Sequence, residues 1–195
     1  QDKPMNREEV YAEKINATVK TKAVFSDQAD QMLYQVKRFG QKMAVAYSMT
    51  QDSKTSGEQA KCLTLLASAE RIFYDRLDDA IRSASMFDET EYKAFQKGII
   101  SFGDTDTAKK KQEIYAGIIK TINNVVHDNE RLILRLDSLA YALNQRSAQN
   151  PWDTDVVLAM SRLDDVITKT NQDLEQDEEI SREALKRYDT LNRGN

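Results

Sequence analysis

The residues of this chain that invite chemistry are two aspartate pairs, Asp78-Asp79 and Asp164-Asp165, one histidine, His127, and one amide, Asn129, set inside an aliphatic run. Paired carboxylates on facing helices can hold magnesium and steer a diphosphate, because hard cations bind carboxylate oxygens. Both pairs sit in the same local text, Arg76-Leu77-Asp78-Asp79 and Arg162-Leu163-Asp164-Asp165, and a third copy, Arg135-Leu136-Asp137, carries a single aspartate. Neither pair has a third aspartate one turn on. Arg82 and Thr168 occupy those positions after Asp78 and Asp164, and a guanidinium repels a cation. An amphipathic helical turn with leucine inward and charges outward covers all three copies. A magnesium-dependent diphosphate enzyme is therefore the remote alternative, and it requires Asp78, Asp79, Asp164 and Asp165 to converge on one cavity.

Zinc chemistry or a Ser-His-Asp triad would have to use His127, which stands off the apolar repeat with no ligand motif beside it. A carboxylate di-iron centre in a bundle needs Glu-x-x-His on two helices, and that motif does not occur. Cys62, the single cysteine, lies between Ala60 and Leu63 on an apolar face and is expected to be a buried, inert thiol. These residues predict no catalytic group, no cofactor and no metal, hence a chain that is not an enzyme.

The elements that carry these residues follow from periodicity. The longest apolar repeat runs Tyr115, Ile118, Ile122, Val125, Asn129, Leu132, Leu136, Leu139 and Leu143, in steps of three and four. It predicts one helical arm over 107–149, stopped by Asn150-Pro151. Asn129 is the polar intruder of this coiled-coil-like seam. Its expected role is to fix register, with contact to a small ligand as the alternative.

A first arm is expected over 6–50, clear through Ala29, Met32, Val36, Phe39, Met43 and Ala46, looser through Tyr11, Ile15, Val19 and Phe25, with a bend at Ser26. The polar stretch 51–57 is a surface connection. A second arm, 58–102, breaks at 86–88, where Asp88 and Glu91 read as a capping box for a short helix that carries Tyr92, Phe95 and Ile99 and ends at Gly103. The last arm, 154–192, is capped by Asp153 or Thr154 and repeats Val156, Met160, Leu163, Ile167, Thr170, Leu174, Asp177, Ser181, Ala184, Tyr188 and Leu191. The spacing holds to the end, but beyond Leu174 the inward positions turn polar and the run 175–179 is strongly acidic.

The expected fold is all-α. It is one domain over 1–195, an elongated antiparallel up-down-up-down bundle of four long arms. A three-helix rod with a small helical cap at 85–106 is the alternative.

With 28 basic and 32 acidic residues, a formal charge of −4, the chain offers no net basic surface to nucleic acid. The lysines at 109–111 read as a solvated first helical turn. No run approaches the roughly 18 apolar residues of a membrane span. The Gln1-Asp2-Lys3-Pro4 start suits a processed exported chain, so an extracytoplasmic location, periplasmic or secreted, is expected, with the cytoplasm as alternative. The expected function is structural: a protein-interaction bundle, a component or accessory of a bacterial envelope, secretion or surface assembly. A small-ligand-sensing bundle around Asn129 is the alternative. Aromatic residues at the irregular places, Phe87, Tyr92, Phe95, Phe102 and Trp152, are the candidate interface anchors. The partners are proteins, and a second copy of the chain is a candidate among them.

Overall fold

Side-chain caps set the helix starts. In the computed structural model, which describes residues 5–51, 57–101 and 103–193 without the side chains of 184, 185, 188, 191 and 192, Asn6 opens α1 (Arg7–Ala17). Its side chain accepts from the Glu9 amide at 2.8 Å while Glu9 accepts from the Asn6 amide at 3.0 Å, a complete capping box. A 3-10 turn at Ala23–Phe25 leads into α2 (Ser26–Gln51), followed by α3 (Gly57–Ser85) and α4 (Glu89–Gln96). Asp104 caps α5 (Thr105–Gln145) through the Thr107 amide at 2.7 Å, and Asp153 caps α6 (Thr154–Arg193) through the Val156 amide at 3.0 Å. No strand occurs among the described residues, so the chain is all-α, with the long helices α2, α5 and α6 packed together.

The single arm expected over 6–50 is instead two helices folded back on each other. The Thr18 hydroxyl donates to the Lys14 carbonyl at 2.7 Å as α1 ends, and Lys20 then pairs with Asp30 at 2.7 Å across the reversal. α1 lies along α3, with Arg7 on Glu70 at 3.2 Å and the Tyr11 hydroxyl on Asp78 at 2.9 Å. Apolar spacing explains the reversal. After Tyr11, Ile15 and Val19 the next buried apolar anchor is Phe25, out of the three-four rhythm, and the turn between them brings both Val19 and Phe25 to the core.

The second arm breaks at Met86 to Asp88 as expected, but its short helix differs in two ways. Asp88 accepts from the Glu91 amide at 2.9 Å, whereas the Glu91 carboxylate turns to the Tyr115 hydroxyl and to Lys111 at 2.7 Å, so the capping box is half formed. Gly98, at φ +70°, supplies the left-handed residue that ends α4, and not Gly103. Ile99 falls outside the helix and is 72% exposed. The connection expected at 51–57 lies, over 52–56, outside the described residues.

Contacts fix the directions of the helices. Phe39 stacks on Phe73 with ring centroids 3.9 Å apart and Thr50 meets Cys62 at 3.6 Å, so α2 and α3 run antiparallel. Gln28 to Asn123 at 3.0 Å and Lys42 to Asp137 at 2.6 Å make α2 and α5 parallel. α5 packs against α2, α3 and α6, and every seam position from Tyr115 to Leu143, Asn129 included, is buried. Burying a leucine such as Leu132 or Leu136 contributes about 1.5–3 kcal/mol. Among the described residues no helix is long and apolar enough to cross a membrane.

Gly117 interrupts α5 with nothing within 4 Å of the position its Cβ would take. An alanine there restricts the unfolded chain and fills no occupied space, so Gly117→Ala should raise stability by roughly 0.5–1 kcal/mol. A urea-denaturation midpoint checks it.

Candidate functional site

The feature that sets this core apart is a cation. Arg76 stands three residues after Phe73 and four before Ala80 on the inward stripe of α3, and it is fully buried, at 0% exposure. Its Nη1 donates to Asp79 at 3.0 Å; its Nη2 donates to Asp128 of α5 at 2.8 Å and to Asp177 of α6 at 3.0 Å. All three acids are buried, so one guanidinium ties α3, α5 and α6 together. Two arginines reach the outer oxygens from the surface, Arg82 on Asp79 at 3.1 Å and Arg131 on Asp128 at 3.0 Å. They extend in turn to Glu178 at 3.7 Å and Asp173 at 3.5 Å.

Burial is the chief influence on Asp79 and Asp128: it pushes both carboxyls above the ordinary range, against the pull of Arg76. The sign of the pH dependence follows. Between the ordinary aspartate pKa and these raised values the folded chain holds more protons than the unfolded one, so stability rises as pH falls through that window. Glu89, the first residue of α4, and Asp104, the exposed cap of α5, are shifted the other way, by the hydrogen bonds they accept from Lys93 and from the Thr107 amide, and lose their contribution only below the ordinary range. The melting temperature should therefore rise as pH falls through that window, and Asp128→Asn should flatten the rise; thermal melts at stepped pH check both.

Two grooves flank the distal half of α6. One, of about 340 Å³, lies against α5 and includes Lys120, His127, Arg131, Lys169 and Asp173; the other, of about 320 Å³, lies against α3 and includes Asp79, Arg82, Ser83, Met86 and Glu178. Solvent thus comes up to the arginine network from both sides. Asn129 lines neither groove. It is 0% exposed, and neither atom of its amide has a hydrogen-bond partner.

The aspartate pairs do not converge. Asp164 and Asp165 are exposed on α6, Asp78 takes the Tyr11 hydroxyl, and Asp79 belongs to Arg76. Asp164 precedes Asp177 on α6 by about 20 Å at 1.5 Å per residue. The leucine-inward, charges-outward account describes the copy at Arg162, where the arginine and both aspartates are exposed, and it fails at Arg76. His127 is exposed, as expected. Cys62 is buried, and burial pushes its thiol up, as expected of an inert cysteine.

The aromatic candidates divide. Phe87 is no surface anchor: it is buried among Phe25, Tyr92 and Tyr115, with ring centroids 4.9, 5.0 and 5.4 Å away. The break at 86–88 is where this ring turns inward. Tyr92 and Phe95 are half-buried, Trp152 is half-buried with the Arg146 guanidinium 5.3 Å from its ring centroid, and Phe102 lies outside the described residues. Compared with known protein families, with curated proteins and with solved structures, the chain matches none.

Proposed function

We propose that this chain is a non-enzymatic interaction protein, an elongated bundle in which α2, α3, α5 and α6 run up-down-up-down with α1 folded back along α3, and that it acts through protein contacts along the distal half of α6. One observation carries the reading: past Leu174 the inward repeat of α6 stops being aliphatic. Asp177 takes the next inward position, and Ile180 is 47% exposed beside the groove against α5. With Asp177 and Ser181 at the inward positions and Ile180 exposed between them, this stretch presents apolar surface that its own bundle does not cover.

A photo-crosslinking residue at Ile180, with one at Leu158 in the proximal half as control, tests this in the native source. A discrete adduct from position 180 and none from 158 supports it; no adduct from either overturns it. The extracytoplasmic setting is part of the proposal and is tested apart, by the intact mass of the chain from envelope and cytoplasmic fractions. A small-ligand bundle is the second reading, favoured by the unpartnered amide of Asn129. It requires a cavity at that residue, and Asn129 borders neither groove.

A further inference from the structure

The two halves of α6 are held by different forces. Val156, Met160, Leu163, Ile167 and Leu174 fix the proximal half by apolar burial. Beyond Leu174, Asp177 is the one described side chain of α6 that is buried. Its bond is to Arg76 Nη2 at 3.0 Å, and the neighbouring Glu178 to Arg82 contact, at 3.7 Å, is between half-exposed or exposed groups. Surface pairs of that kind contribute little.

We propose that the segment of α6 over 175–183 is a releasable strap latched by Asp177 on Arg76, and not a fixed wall of the bundle. Three features make its opening cheap. Arg76 keeps Asp79 at 3.0 Å and Asp128 at 2.8 Å when Asp177 leaves, so the buried cation stays paired. The buried guanidinium is shared among three carboxylates, and Asp79 and Asp128 also hold Arg82 at 3.1 Å and Arg131 at 3.0 Å, so departure of Asp177 leaves the remaining buried acids and Arg76 all paired. The grooves on both flanks of α6 already bring solvent to Asp79, Asp128 and Asp177, so water replaces the lost bond without entry into the aliphatic seam. Release leaves a polar trough floored by Arg76, Asp79 and Asp128, with α3 and α5 as its walls. Segments with few buried apolar contacts open locally, well below the free energy of global unfolding.

Hydrogen exchange on the full chain, read by mass spectrometry over 175–183 against 156–170, tests the strap. In the unmodified protein the distal peptide should exchange on the order of a hundredfold faster than the proximal one. Asp177→Ala should speed the distal peptide further, by on the order of tenfold. Asp177→Leu extends the aliphatic repeat and should slow it by a similar factor, the proximal peptide being unchanged in both. A helix end that simply frays would ignore residue 177. Equal rates in the two variants, equal protection of the two peptides in the unmodified protein, or a change spread over the whole chain would overturn the latch. No partner takes part in this measurement, so its failure and the failure of crosslinking at Ile180 are separate results.

Discussion

Arg76→Met should lower the unfolding free energy by about 3–5 kcal/mol, the range found when one member of a buried ion pair is removed and its partners stay behind. The loss of the cation strands three buried carboxylates. Arg82 and Arg131 cover one oxygen each of Asp79 and Asp128, but from the surface, and Asp177 loses its bond to Arg76. Methionine nearly matches the arginine stem in length, so the change tests charge more than volume. Two further variants separate charge from packing. Arg76→Met combined with Asp128→Asn and Asp177→Asn should regain more than half of the loss, because a buried charge cluster replaced as a unit is often close to neutral. Arg162→Met, in the same local text at an exposed position, should stay within about 0.5 kcal/mol of the parent. Urea midpoints for the three variants decide it. A small effect at Arg76 would mean that water reaches the guanidinium.

Periodicity made much of this architecture legible because apolar spacing is what packs the helices. The seam from Tyr115 to Leu143 is buried residue for residue, and Asp153, one of the two residues expected to cap the last arm, is its cap. The reversal between α1 and α2 was less visible. Its only trace was the lapse in spacing between Val19 and Phe25, which a bend explains as readily as a turn. Gly98 and Gly103 both have positive φ, so both fit helix ends, and only packing selects the nearer.

The arginine network shows where spacing and residue type conflict. Arg76 keeps the inward rhythm of Phe73 and Ala80, and Asp177 follows Leu174 at the inward position of α6, so both places were readable. What spacing alone cannot supply is that an inward arginine and an inward aspartate meet, since that depends on how α3 and α6 are aligned along the bundle. A local motif favoured charges outward, and at Arg76 the partners supplied by two other helices outweighed it.

Asn129→Leu should stabilise the protein, by about 1–3 kcal/mol, the size of the penalty for a buried polar group without partners. The amide sits in a seam whose neighbours Val125 and Leu132 are aliphatic and fully buried, and both its donor and its acceptor go unmet. A leucine keeps the apolar repeat of α5 unbroken and carries no group to desolvate. Only a modest difference in volume opposes the gain, and overpacking of a core costs on the order of 1 kcal/mol at its mild end. The register role expected of this residue makes a second, independent claim. In helical bundles a buried amide selects one alignment of helices at some cost in stability, so the leucine variant should melt higher and yet sample more than one packing. Two-dimensional amide spectra beside the thermal melt read the two effects apart. A higher melting point with doubled resonances along α5 means that the amide specifies register. A higher melting point with a single set means that the polar group is a cost, and that the Arg76 network already fixes how α3, α5 and α6 align. A lower melting point would show that Asn129 is satisfied in solution, by water held inside the seam.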